Sequence, residues 1–328
     1  MSEIWEANWL LKVRLGWRLY LPNARRKQFT VSNRLSTYHF NKRLIMSDST
    51  AKTWFITGAS SGFGEALADY VLEKGDRVAA TFRKPEQADE FTKKINGRTF
   101  GVVADVTNEA QVKTAVADAL AQFGQLDVIV NNAGYGSMGS IEEVPAEEVH
   151  RQFDVNVFGA LHVLRAVLPQ LRKQRSGHVL NITSIGGLKT FPGVGIYNAS
   201  KFALEAIGES LSQQVGPLGI KVTNIEPSGF RTKWAGESAT IADTKIEDYQ
   251  ATVGENLRGI QGYSGRQPGD PVRAAKAMYD VVQLENPPLH LPLGKAAVKG
   301  AREKFAGIAK ELEQYAEVGD AADFPAGE

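Results

Sequence analysis

The chain has 328 residues, a formal net charge of +1, 43% hydrophobic residues, no cysteine and five scattered histidines. So balanced a charge gives no reason to expect a nucleic-acid partner, and no run approaches the ~18 apolar residues of a membrane span, so a cytoplasmic chain is expected. Without cysteine there are no disulfides and no thiolate catalysis. Without an H-E-x-x-H or paired-histidine spacing, no metal site and no zinc-dependent alcohol chemistry are expected.

Residues 1–45 differ in composition from the rest. They hold nine Lys/Arg against two acids, and Trp5, Trp9 and Trp17 fall there. Met46-Ser47-Asp48-Ser49 reads as a natural start, so 1–45 are expected to stand outside the fold as an upstream-start extension or an Arg-rich presequence. Residues 46–328 are then expected to form one domain.

Residues 52–57 are a short, mostly apolar run with β-branched members, which reads as a buried parallel strand. It enters Gly58-Ala59-Ser60-Ser61-Gly62-Phe63-Gly64 and then a helical pattern over 65–74. Glycines at a strand-to-helix turn let the backbone approach a pyrophosphate, and the helix N-terminus offers free N–H groups. Strands follow at 77–82, 99–104 and 126–131, with a helix over 109–123 between the last two. A long helix over 146–173 precedes a strand at 178–183, a helix at 196–215 and a strand at 220–225. Strands alternating with helices imply a doubly wound parallel sheet of the Rossmann type, whose ligands sit beyond the carboxyl ends of the strands. From 232 to 267 the rhythm lapses into a polar stretch with scattered apolar residues, among them Trp234, Tyr249, Val253 and Leu257. Such an insertion reads as a lid over a binding cleft, and it is expected to become ordered on ligand binding. Asp270-Pro271 caps another helix, 289–291 is a last strand, 297–315 is an amphipathic helix, and the acidic end after Val318 is expected to fray.

Tyr197 and Lys201 stand four residues apart, on one face of the 196–215 helix. An ammonium beside a phenol favours the phenolate, so the tyrosine pKa is expected to fall from about 10. A phenol tuned this way can exchange a proton with a carbonyl or alcohol oxygen.

Taken together, Thr57 to Gly64, Asn131-Asn132-Ala133-Gly134, Asn156, Ser184, Tyr197 and Lys201 resemble the classical short-chain dehydrogenase/reductase family, closest to its 17β-hydroxysteroid-dehydrogenase-like branch. The likeness runs from 52 to about 291. It implies an oxidoreductase that interconverts a ketone or aldehyde with an alcohol through a nicotinamide cofactor. By that resemblance Tyr197 is the general acid/base and Ser184 holds the substrate oxygen. Lys201 bonds the nicotinamide ribose and tunes the phenol, and Asn156 holds a relay water near the lysine. Gly58, Ser60, Ser61, Gly62, Phe63 and Gly64 correspond to the pyrophosphate loop. Asp105 and Val106 border adenine, Asn132, Ala133 and Gly134 underlie the adenosine ribose, and Pro227, Gly229 and Thr232 lie by the carboxamide. Ser228 stands where the family usually has glycine.

NAD-preferring relatives carry an acid at the end of the second strand, against the ribose 2′-OH. Here Phe82 takes that place, followed by Arg83 and Lys84, so NADP(H) is expected, with Arg83 on the 2′-phosphate. The C-terminal helix replaces the short tail that many members pack in a tetramer. A homodimer through the helices bearing Asn156 and Tyr197 is therefore expected, or a monomer. A non-catalytic dinucleotide sensor on the same scaffold is the alternative, and retention of all four catalytic positions weighs against it.

Overall fold

The computed structural model describes residues 51–325 except Glu237 and Thr244; the basic extension 1–45 lies outside the described residues. The strands are β1 (Thr53–Ile56), β2 (Arg77–Phe82), β3 (Thr99–Val103), β4 (Val128–Asn131), β5 (Gly136–Met138), β6 (Gly177–Ile182), β7 (Ile220–Pro227), β8 (Ala239–Ile241) and β9 (His290–Leu293). The main helices are α1 (Gly62–Glu73), α2 (Pro85–Lys94), α3 (Glu109–Phe123), α4 (Ala146–Phe153), α5 (Gly159–Gln174), α6 (Gly195–Val215), α7 (Glu255–Gly262), α8 (Pro271–Val282) and α9 (Lys295–Asp320).

Among the described residues, seven strands form one sheet in the order β3-β2-β1-β4-β6-β7-β9. Every pairing is parallel, with Phe55 in register with Ala79 on one side and Ile129 on the other. The order reverses between β1 and β4, the switch point at which such sheets bind ligands. Side chains alternate across the sheet with a period of two. Trp54, Ile56, Val78, Ala80, Val128 and Val130 therefore join one core with α1, α2 and α8. Phe55, Ala79, Ile129 and Val179 join the other, with α3, α5 and α6. With both faces covered, the strands read as continuous apolar runs, which is why they stand out in the sequence.

Local chemistry sets the helix ends. The Asn108 side chain accepts from the Gln111 N–H at 3.1 Å and that of Asp270 from the Val272 N–H at 2.8 Å, each satisfying an amide that the helix leaves unpaired.

Four elements depart from the sequence expectations. The short helix α2 was not read in the sequence. The helix expected over 146–173 is interrupted by a wide π turn at Asp154–Phe158, which contains Asn156. The last helix begins two residues earlier than expected and continues to Asp320, so it runs past Val318. The insertion 232–267 contains β8, α7 and several single turns rather than irregular chain. Its β8 pairs in parallel with β5, Gly136 in register with Ala239 and Met138 with Ile241.

Candidate active site

The turn after β1 is built to bring backbone close to backbone. Gly58 and Gly62 have φ of 67° and 64°, a region that disfavours side chains. A Cβ on Gly64 would lie 2.5 Å from both the Gly58 carbonyl and the Asn132 amide nitrogen. The loop is tied to the end of β4: the Asn132 side chain donates to the Thr57 and Gly58 carbonyls at 2.8 and 2.9 Å. The Thr57 hydroxyl accepts from the N–H groups of Asn132 and Ala133, both at 3.0 Å. Ser61 stands at the N-cap of α1 in extended conformation, and its side chain does not cap the helix. The first amides of α1 are thus left for another acceptor, and the missing Cβ atoms let the turn close against Ala133, Thr232 and Asn132. These features fit the diphosphate of a dinucleotide. Ser60 is exposed in the same turn.

The other expected contacts line the same carboxyl edge. Arg83 follows β2, exposed and without a hydrogen bond or ion pair among the described residues. Phe82 beneath it is buried against Phe91, with ring centroids 5.3 Å apart. The Asp105 carboxylate is engaged locally, accepting from the Thr107 N–H and hydroxyl at 2.9 and 2.8 Å, while Val106 is buried against Gly159. Thr232 borders Gly62, so the loop after β7 meets the glycine turn. Phe63 and Phe230 reinforce that junction, edge to face at 5.1 Å. Ser228 is turned toward β9, its hydroxyl donating to the Leu293 carbonyl at 3.2 Å. Gly229 lies against Tyr263.

The four candidate catalytic residues converge at the ends of β6 and α6. Tyr197 is 7% and Lys201 6% exposed. The Lys201 ammonium lies 5.8 Å from the centre of the Tyr197 ring and donates to the Ile182 carbonyl at 2.8 Å. Gly134 leaves the gap beside it open, since a Cβ there would sit 3.1 Å from Asn156 Oδ1 and 3.5 Å from Lys201 Nζ. Ser184 donates to the Pro227 carbonyl at 3.5 Å and accepts from the Gly186 N–H at 2.9 Å. The Asn156 side chain bonds protein groups: Oδ1 accepts from the Tyr135 N–H at 3.1 Å, and Nδ2 donates to the Tyr135 carbonyl and Ser200 hydroxyl, each at 3.1 Å. It thereby joins the π turn, the chain after β4 and α6.

The electrostatics correct one expectation. The Tyr197 phenol is not lowered; burial pushes it up to about 12, and a hydrogen bond from Ser184 only partly opposes this. Burial likewise lowers Lys201 to about 8, against the opposing charge of Glu205. Desolvation is the largest cause in both groups, because both are deep in the fold.

The insertion supplies residues that sequence reasoning did not place in the site. Trp234 covers the Tyr197 ring, with centroids 4.9 Å apart, and its indole N–H is buried with no hydrogen-bond partner among the described residues. Met138, Val194, Val253 and Leu257 close an apolar cluster around Tyr197, with Trp234, Tyr249 and Ile260 packed against it. Trp234, Tyr249, Val253, Leu257 and Ile260 of the insertion therefore already have protein partners, while Ile241 and Tyr263 are exposed. Also unforeseen is a network behind Lys201. Glu205 and Glu226 are buried, and the His290 ring lies 2.7 Å from Glu226 and 3.5 Å from Glu205. These three side chains offer one cation-ligating atom each, all within 4.8 Å of one another. Burial raises both carboxyls, Glu226 to about 8.

The short chain dehydrogenase family model matches residues 52–242. The chain belongs to that family, and it is an oxidoreductase of the Rossmann class. A relative from Bacteroides thetaiotaomicron, a 3-ketodihydrosphingosine reductase, is 37% identical over 263 residues, 80% of this chain and 94% of that protein. A short-chain dehydrogenase from Streptomyces avermitilis superposes with a TM-score of 0.78 at 39% identity, covering 85% of this chain and all of the other. A family member from Burkholderia phymatum, solved in complex with NAD, superposes at 0.71 with 25% identity, covering 81% of this chain and 97% of the other.

Proposed function

We propose that this short-chain dehydrogenase is an NADP(H)-dependent reductase that interconverts an apolar ketone or aldehyde with its alcohol, using Tyr197 as general acid/base. The observation that carries this reading is the convergence of Tyr197, Ser184 and Lys201 beneath an apolar roof, beside a glycine turn with free helix amides. A nicotinamide dinucleotide bound along that edge supplies a hydride. The protein's own groups do the rest. A phenol at about 12 is protonated at neutral pH, so Tyr197 can donate to a carbonyl oxygen as it gains negative charge. Ser184, hydrogen-bonded to the same phenol, holds that oxygen in line. Lys201 brings positive charge to the site, and Asn156 ties the chain at Tyr135 to the Ser200 hydroxyl on the helix that carries Tyr197 and Lys201. Trp234, Val253 and Leu257 keep water from the phenol and favour an apolar substrate. The 3-ketodihydrosphingosine reductase relative and the resemblance to the 17β-hydroxysteroid-dehydrogenase-like branch agree with a ketone of this kind.

The cofactor preference rests on Arg83. It is a free guanidinium at the end of β2, with the apolar Phe82 where NAD-selective members carry a carboxylate. The preference for NADPH is expected to be about 10²-fold, of the order of one charge-assisted contact. Comparing kcat/KM for NADPH and NADH in wild type and in Phe82→Asp/Arg83→Ala tests it. Preference for NADH in the wild type, or a ratio unmoved by the double change, refutes it.

A further inference from the structure

The first turns of α9 pack on the body, and the rest of the helix does not. Ala297 and Ala301 are buried against Ile185 and Leu188, and Lys189 pairs with Glu303 at 3.2 Å. From Phe305 to Asp320 every residue is exposed. This exposed part of the helix is not polar all round. Phe305, Ile308, Leu312, Tyr315 and Val318 are between 36% and 73% exposed. Their spacing continues the buried Ala301 as 301, 305, 308, 312, 315, the alternation of four and three that generates a coiled-coil seam. The stripe that seals the helix to the body thus runs on beyond the body's edge with nothing on it.

Charge along the helix identifies what covers it. Lys295, Lys299, Arg302 and Lys304 make the first ten residues basic, with Glu303 the one acid among them. Glu311, Glu313, Glu317 and Asp320 make the outer half acidic, with Lys310 the one base among them. A second copy laid antiparallel sets acidic half against basic half and opposes the two helix dipoles, whereas a parallel copy stacks acid on acid. The acidic outer half also disfavours an anionic bilayer, which selects amphipathic helices with basic polar faces. The exposed stripe amounts to roughly 500 Å² per copy, so a pair buries about 1,000 Å², the threshold for a specific interface. Isolated helices of this length are marginal in water, so the partner also accounts for the persistence of the helix.

We infer that the outer part of α9 is an antiparallel self-association helix. Phe305 faces the partner's Tyr315, Ile308 faces the partner's Leu312, and Lys304 lies near the partner's Glu317. This surface is separate from the exposed Phe158 and Phe202 on the segments that carry Asn156 and Tyr197, where the sequence led us to expect a dimer.

The chain has no cysteine, so single-cysteine variants of the full-length protein report one position each. Under mild oxidation, Phe305→Cys mixed with Tyr315→Cys should cross-link, while neither variant should cross-link with itself. Leu312→Asp should halve the mass measured by light scattering and leave kcat/KM within about twofold of wild type. Cross-linking of each variant with itself, which marks a parallel pair, overturns the inference. So does an absence of any cross-link. So does an unchanged mass in Leu312→Asp together with Leu312-dependent flotation on phosphatidylcholine or phosphatidylserine vesicles, since the stripe then serves a membrane.

Discussion

Replacing Tyr197 by Phe removes one oxygen and leaves the ring beneath Trp234 in place. The loss to stability should be small, because the hydroxyl's hydrogen bond with Ser184 is worth about 1 kcal/mol. That corresponds to a Tm change of about 2–4 °C in a domain of this size. The loss to chemistry should be much larger. Ser184 could supply another proton only as an alcohol of far higher pKa, so general acid catalysis worth about 10²–10⁴-fold, or 3–5 kcal/mol, disappears. Dinucleotide affinity should stay within about threefold, since the turn at Gly58–Gly64 is untouched. The assay follows nicotinamide absorbance with an apolar ketone, alongside a thermal melt and a dinucleotide titration. In wild type the reduction rate should hold from pH 6 to 7 and fall as pH rises through 8, as Lys201, at about 8, loses its proton. A Phe variant that turns over within tenfold of wild type refutes the role given to Tyr197. A variant that loses activity together with about 10 °C of Tm shows that the hydroxyl is structural instead.

Trp234→Ala should raise KM for an apolar ketone about tenfold or more, as it opens the cluster around Tyr197. Steady-state kinetics with matched short and long ketones should show the larger loss on the longer one. For Glu226→Gln the sign follows from a folded pKa raised to about 8. Wild-type stability from this group is fully present below about pH 4.5 and declines as pH rises through 8. The amide should flatten that decline, so its Tm should exceed that of wild type at pH 8.5 by more than at pH 5. Equal pH slopes in melts of the two proteins refute the assignment.

The parts that were legible in the sequence are those governed by short-range rules. The five central strands are buried and read as largely apolar runs because both faces of the sheet are covered, and the glycine turn showed itself through residues that only a tight approach requires. What escaped depends on distant partners. The strands β5 and β8 are three residues each and pair across a hundred positions through backbone alone, leaving no periodicity to read. The helix α2 buries only Ala88 and Phe91, too little to mark a face. The π turn at Asp154–Phe158 shifts the helical phase without any residue type that signals it. The raised Tyr197 pKa was missed because sequence spacing shows the neighbouring Lys201 but not the depth at which both are buried. Trp234 could have been suspected, two residues after Thr232 in the loop that leaves the site, but its place over Tyr197 is a tertiary fact.

The insertion 232–267 is joined to the strand after β4 through main-chain bonds. Gly136 to Met138 pairs with Ala239 to Ile241, and the Ala242 N–H then donates to the Met138 carbonyl at 2.7 Å. Bonds of this kind are indifferent to side-chain identity. The exposed positions after Ala242 can therefore vary while the entry point stays fixed, whereas Val253 and Leu257 are held by their packing around Tyr197. Selection for a new substrate has there a surface to vary, and a graft from a relative at that junction redirects this scaffold only if it rebuilds the apolar packing on Tyr197.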